Sequence, residues 1–386
     1  MRFPNFSKSW NKSELKTFAN RINRRNSNNE SSLPLTISAQ LGLINQNDFF
    51  NKQIASRDLS NYILIKNGEF AYNKSYSADY PWGAIKRLDL YEKGALSSLY
   101  ICFSLIDNAV SDYFVHYFES SKWHKQISDI AGEGARNHGL LNMSVSDFFE
   151  TVHKFPTQEE QVKISNFLNL INERILTQSK IIEDLETLKN GIWDDVYKKE
   201  SLNWNEVKLK NILTERKTYC VKDSTYPHAT LSKEGISLKT DRYNRDFLVK
   251  DDEKNYKVTH LNDICYNPAN LKIGVICRNK LGSAIFSPIY ITYEVNSNFN
   301  AAFIEYILTN SSFINYIRKY EQGTVYERMA VNSEDFLKGI IKLPPLDIQT
   351  KIINLMHSFE LKIQKEKDML ELYKKQKAYL LQNMFI

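Results

Sequence analysis

The chain has 386 residues, of which 42% are hydrophobic, and a formal net charge of +6. That length accommodates two or more domains with their own cores, and the composition excludes disordered and fibrous classes. No run reaches the ~18 apolar residues of a membrane span, and the opening MRFPNFSKSWNKSE lacks a signal-peptide core, so a cytoplasmic protein with no membrane partner is expected.

In chain order, the first segment is SWNKSEL at 9–15, followed by TISAQLGL from Thr36. YILIKNGEFAYN and LYICFSLI alternate or run apolar over short lengths, as strands do. GAIKR follows at 83–87. NAVSDYFVHYFESSKWHKQI then carries apolar residues at helical spacing. SVSDFFETVHKFP at 144–156 leads into a long helix. Its apolar positions are Ile164, Leu168, Ile171 and Ile175, then a polar Gln178, then Ile182 and Leu185. This 4,3 spacing marks a coiled-coil seam.

The same order then recurs. NWNEVKL at 203–209 matches SWNKSEL, and TLSKEGIS from Thr230 matches TISAQLGL. NDICYN at 262–267 matches GEFAYN at 68–73, and GVICR at 274–278 matches GAIKR. AIFSPIYITYEV supplies strand patterns, and FNAAFIEYILTNSSFINYIRKY a helical stretch. NSEDFLKGIIKLP at 332–344 enters a second long helix, whose seam reads Ile352, Met356, Phe359, Ile363, a polar Glu366 and Leu370. The two helices align without a gap at a shift of 188 residues, Lys189 falling on Lys377.

The chain is therefore two copies of one unit. The expected fold is α+β, in four segments: 1–155 and 199–343 globular, 156–198 and 344–386 helical. Each helix spans about 40 residues, or ~60 Å. Such a helix cannot bury its stripe alone, and an antiparallel coiled coil with a pseudo-two-fold axis is the arrangement that keeps the two globular parts from competing for space. In such a pair the polar interruptions, Gln178 and Glu366, should meet near the axis and help fix register. Two similar heads at a set separation suit B-DNA, which repeats every ~34–36 Å.

The segments LPPLDIQTKI with its helix ending LLQNMF, FPTQEEQVKI, and FAYNKSYSADYPWGAIKRL resemble the specificity subunit of type I restriction-modification enzymes. The resemblance covers nearly the whole chain. It implies that 1–155 and 199–343 are target recognition domains, each reading one half of a bipartite site in double-stranded DNA. It implies that the helices set the unread spacer and dock two modification (methyltransferase) subunits, with restriction (translocase-nuclease) subunits completing the complex. The chain itself would be non-catalytic. S-adenosylmethionine, ATP and Mg would sit on its partners.

The two copies diverge between their YN and GxI landmarks: KSYSADYPW in one, PANLKI in the other. Heads that read different half-sites should differ where bases are read. Lys74, Ser75, Tyr76 and Tyr80, and Asn270 and Lys272, are thus candidate DNA contacts, the alternative being a plain solvent loop. Arg87, with Lys86 beside it, and Arg278 follow the loops, where they either hold phosphates or pair with carboxylates of the fold. Arg136 with Asn137, and Arg328 with Tyr326, precede the two DF landmarks as further candidates.

Other chemistry finds little support. YNPAN at 266–270 has Asn270 where an adenine-holding Asn-Pro-Pro-aromatic loop needs an aromatic, so a turn is the better reading. There is no HExxH or Cys/His cluster, so no metal is expected, and no GxxxxGK[ST] phosphate loop. The four cysteines form no CxxC pair. The competing class is a coiled-coil scaffold or adaptor that binds no DNA, which the duplicated helix fits equally well. An orphan specificity protein that exchanges domains with a sibling is also compatible.

Overall fold

The structure is a computed structural model that describes residues 1–51, 55–56, 58–131, 139–197, 203–221, 225–239, 255–323 and 329–386. By its internal contacts the chain forms two compact units: Met1–Ile181 with Glu366–Ile386, and Ile182–Lys365. These units are drawn by packing and the four segments by sequence, so each unit holds one globular segment together with parts of the helical ones. Each unit takes a globular part plus portions of both long helices, because a lone amphipathic helix must bury its stripe against something. Among the described residues, no helix is long and apolar enough to cross a membrane.

The first unit contains strands β1 (Asn11–Glu14), β2 (Ala19–Arg21), β3 (Leu35–Ser38), β4 (Gly42–Asn45) and β5 (Ile63–Lys66). Next come β6 (Phe70–Asn73), β7 (Ala84–Arg87), β8 (Lys93–Leu96), β9 (Ile101–Leu105) and β10 (Val152–Phe155). Its helices are α1 (Gln46–Phe50), α2 (Ser111–Glu119), α3 (His124–Ile130), α4 (Val145–Glu150) and the start of α5 (Gln158–Asp195). A four-stranded sheet has the order β2-β9-β6-β7, and β1–β10, β3–β4 and β5–β8 pair separately, all antiparallel.

Two sequence readings are refined here. YILIKNGEFAYN holds two strands, but they join different sheets, because the turn at Asn67-Gly68 (Gly68 φ +83°) redirects the chain. The helical stretch from residue 108 breaks in two. At Ser120 the chain leaves the helix, and the Ser120 hydroxyl donates back to the Tyr117 carbonyl at 2.6 Å.

The second unit repeats this plan. Its strands are β11 (Asn205–Lys208), β12 (Leu213–Glu215), β13 (Tyr219–Cys220), β14 (Ala229–Ser232), β15 (Gly235–Leu238) and β16 (Tyr256–Thr259). They continue with β17 (Ile264–Tyr266), β18 (Ile276–Arg278), β19 (Ala284–Phe286), β20 (Ile291–Val295) and β21 (Ile340–Leu343). Its helices are α6 (Leu209–Ile212), α7 (Ala301–Leu308), α8 (Ser311–Ile317), α9 (Ser333–Phe336) and the first half of α10 (Leu346–Met384). The sheet order β12-β20-β17-β18 is that of the first unit, and β11–β21 and β14–β15 match β1–β10 and β3–β4. AIFSPIYITYEV again splits between sheets, β19 pairing with β16 and β20 with β12 and β17. The second helical stretch also breaks, at Asn310, whose side chain caps α8 by accepting from the Ser312 N–H.

The shared landmarks have a packing role. Tyr72 of the first YN stacks on Phe148 of the first DF, ring centroids 5.1 Å apart. Tyr266 stacks on Phe336 in the same way at 4.6 Å. Both phenylalanines are presented by a capped turn: Ser144 and Asp147 form a capping box, and Asn332 accepts from the Asp335 N–H. The proline–glutamine pair that opens each long helix is also explained. Gln161 Nε2 donates to the Pro156 carbonyl at 3.1 Å, and Gln349 Nε2 to the Pro344 carbonyl at 2.8 Å, each closing the helix's first turn.

Candidate nucleic-acid interface

The loop between β6 and β7 is built from short hydrogen-bonded turns. Asn73 Oδ1 accepts from the Ser75 N–H at 2.9 Å, and Ser77 and Tyr80 exchange backbone bonds at 3.1 and 3.2 Å. The loop is tied to the segment before α4, since Tyr76 N–H donates to the Gly139 carbonyl and Leu141 N–H to the Lys74 carbonyl, both at 3.0 Å. Ser75 and Tyr76 are exposed, whereas Lys74 and Tyr80 are half-buried. The loop ends at Gly83, whose φ of +75° and close approach to the Asn73 carbonyl exclude any side chain.

In the second unit the corresponding residues 268–273 form a 3-10 helix capped by Asn267 and closed by Gly274 in the left-handed region. Here too the loop is tied to the segment before the DF helix, through the Val331 N–H and the Pro268 carbonyl at 3.4 Å. Asn270 is half-buried and held by backbone bonds to Asn267 and Val275, while Lys272 is exposed. So in each unit the structure joins the divergent loop to the chain preceding the DF helix. The candidates Arg136, Asn137, Tyr326 and Arg328 lie outside the described residues.

The arginines after the loops have carboxylate partners. Arg87 Nη1 donates to Asp112 Oδ1 at 2.7 Å and to the Ser111 hydroxyl at 2.8 Å, and its Nε to Asp89 at 2.6 Å. Arg278 Nε donates to Glu305 at 3.1 Å and its Nη1 to Asn262 Oδ1 at 2.6 Å. Both arginines thus make the carboxylate pairing, one of the two roles expected of them. Lys86 is half-buried, and burial lowers its pKa, with Glu119 opposing and Lys377 reinforcing the shift. A polar cleft of about 440 Å³ lies beside Arg278, lined also by Arg216, Asn262 and Glu294. Arg216 is itself paired with the buried Asp263 at 2.9 Å, so its charge is largely neutralised.

The seam residues divide between the units. Ile164, Leu168 and Ile171 are buried in the first unit's core together with Leu380, Met384 and Phe385, and Ile175 packs at its edge. They thus cover the globular part as well as the other helix, which a pure coiled-coil seam would not. In the same unit Gln178 Nε2 donates to Glu366 Oε2 at 2.6 Å and to the Glu366 carbonyl at 3.1 Å. Leu370 is half-buried. In the second unit Ile352 and Met356 pack with Trp193, Ile182 and Ile363 are buried, and Leu185 and Phe359 are half-buried.

A cluster that sequence reasoning missed lies where α2 meets the long helices: Asp112, His116, Glu119, Asn169 and Lys377. The coincidence of Lys189 with Lys377 in the repeat was the only signal for it. Among the described residues, no group of three or more His, Cys, Asp or Glu is placed to hold a metal ion.

No protein-family model matches the sequence, and no curated protein matches it significantly. Solved structures do match. A chain from a type I R-M system, studied for its complex assembly and conformational transition, overlays with a TM-score of 0.59. The match covers 97% of each chain at 13% identity. The type I restriction-modification system S subunit from M. genitalium overlays with a TM-score of 0.54, also at 13% identity, over 100% of this chain and 98% of that one. The chain has the fold of a type I restriction-modification S subunit. The S-subunit fold spans the full sequence, both globular parts and both long helices included, at an identity low enough that loop residues carry no direct correspondence.

Proposed function

We propose that this chain is the DNA sequence-specificity subunit of a type I restriction-modification complex. The full-length likeness to the S subunit from M. genitalium carries this reading. The repeated framework with unlike loops at 74–82 and 268–273 supports it further, since two heads on one scaffold then present different chemistry. Residues 1–155 and 199–343 act as target recognition domains, each reading half of a bipartite site in double-stranded DNA. Helices 156–198 and 344–386 pair as an antiparallel coiled coil with pseudo-two-fold symmetry and set the unread spacer. The Gln178–Glu366 bond supports their pairing.

Exposed apolar side chains on the helices, among them Leu170, Leu176, Leu361 and Leu372, suit the docking of two modification subunits. Those partners carry S-adenosylmethionine. Restriction subunits, with ATP and Mg, add translocation and cleavage. This chain supplies no catalytic group and acts in the cytoplasm.

The test is co-expression with the cognate modification subunit and mapping of methylated adenines by single-molecule sequencing. A bipartite motif that appears only when both chains are present is expected. Methyl transfer by this chain alone, or a methylation pattern indifferent to it, overturns the reading and revives the scaffold alternative.

A further inference from the structure

We infer that a polar latch, repeated in the two units, fixes the angle at which each recognition head is carried on the long helices and so sharpens the spacer length; this rests on the function proposed above. In the first unit the latch has two arms, both passing through α2. Arg87, on the strand leaving the divergent loop, donates to Asp112 Oδ1 at 2.7 Å. The other oxygen of Asp112 accepts from Asn169 Nδ2 of α5 at 3.0 Å. Asn169 Oδ1 must then accept, and His116 Nε2 donates to it at 2.7 Å. His116, only 1% exposed, turns its Nδ1 toward Glu119 Oε2 at 3.5 Å. Lys377 Nζ of α10 reaches the same oxygen at 2.9 Å. Hydrogen bonds thus join the loop's exit strand and α2 to α5, and α2 carries the ion pair to α10. Burial alone would raise the Glu119 pKa, yet His116 and Lys377 hold it down to about 2, so the carboxylate stays charged.

The second unit has a counterpart built from other residues. The buried positions Tyr113, Phe114, Tyr117 and Phe118 of α2 match Phe303, Ile304, Ile307 and Leu308 of α7, which sets Tyr306 where His116 stands. The Tyr306 hydroxyl donates to Glu360 of α10. Lys189, the repeat equivalent of Lys377, lies 4.0 Å from the same carboxylate oxygen and 6.0 Å over the Tyr306 ring. Arg278, at the exit of the second divergent loop, pairs with the adjacent Glu305.

The physical division of labour follows from directionality. The apolar contacts around Leu168 and Leu380 hold head to helices but are non-directional. Charge-assisted hydrogen bonds have a defined geometry. Removing them leaves the packing and frees the angle. These side chains are positioning residues, with no contact to DNA required.

The experiment uses the full chain in complex with its modification subunit. DNAs carry the native half-sites with the spacer shortened or lengthened by one base pair. Asn169→Ala, Lys377→Ala and Tyr306→Phe are compared with the unaltered protein and with Lys377→Arg. The variants should lose roughly 10-fold in discrimination between native and altered spacers, the equivalent of one charge-assisted bond. Half-site sequences should be unchanged, and Lys377→Arg should restore discrimination. Tyr306→Phe removes a single hydroxyl and keeps the test available should the alanine variants not fold. A purely structural role predicts methylation lowered equally at every spacer; that result, or undiminished discrimination, overturns the latch. If the unaltered complex methylates no bipartite site, the proposed function fails first and the latch with it.

Discussion

His153 shows how one buried residue couples the first unit to pH. It is 3% exposed, with Nδ1 2.8 Å from the Tyr117 hydroxyl and Nε2 2.8 Å from Thr151 Oγ1. Because the Thr151 hydroxyl donates to the Phe148 carbonyl, its oxygen accepts from Nε2–H, and Nδ1 accepts from Tyr117. The neutral ring is fully satisfied, and burial lowers its pKa from 6.5 to about 4. The unfolded chain takes up the proton first, so stability is complete above pH 6.5 and is lost as pH falls toward 4. His153→Gln should therefore lose about 2 kcal/mol less than the unaltered chain between pH 7 and 4.5 in urea unfolding. Equal losses would show that His153 is not the titrating group. The stacked pair makes a second residue-scale prediction. Phe148→Ala should destabilise the first unit by about 3–5 kcal/mol, and Phe336→Ala the second, because each leaves a cavity against its tyrosine. A two-stage unfolding curve in which the two variants shift the same stage would contradict this.

At the scale of the element, the polar interruption of each long helix is the informative feature. Gln178 is 7% exposed, and its amide makes both of its donor bonds to Glu366. A half-buried polar pair of this kind lowers stability relative to apolar residues and penalises slipped registers. Replacing both by leucine should raise the denaturation midpoint while broadening the range of spacers methylated. Sharp spacer preference in the double variant would show that the pair does not set register. The strands teach a complementary lesson. The alternation in YILIKNGEFAYN announces strands but is silent on partners. Ile63–Lys66 pairs with Lys93–Leu96 and Phe70–Asn73 with Ala84–Arg87, pairings that depend on how Gly68 turns the chain.

At the scale of the whole molecule, the proposed function ties helix length to DNA spacing and each head to one half-site. Inserting four residues after Gln178 adds about one turn, or ~6 Å of helix. In a variant that still assembles, the spacer should lengthen by one or two steps of ~3.4 Å. An active variant with an unchanged spacer would show that the helices do not measure it. Exchanging residues 1–155 for the first domain of another S subunit should alter one half of the methylated motif and leave the other intact. Simultaneous change of both halves would refute independent reading.

The duplication, the two long helices with their polar breaks, and the loops that differ between copies are properties of the sequence by itself. They are local periods or copies of one pattern, and comparing the two halves exposes both what is kept and what diverges. The stacking of Tyr72 on Phe148 belongs to the tertiary structure, as do the carboxylate partners of Arg87 and Arg278 and the cluster around Asn169 and Lys377. Each joins residues far apart in the chain, and the identity of an arginine or lysine says nothing about which carboxylate the fold will bring to it. Helix period also could not tell a seam facing another helix from one shared with a globular core. Ile164 and Leu168 do both, because the three-dimensional packing of the first unit closes around them.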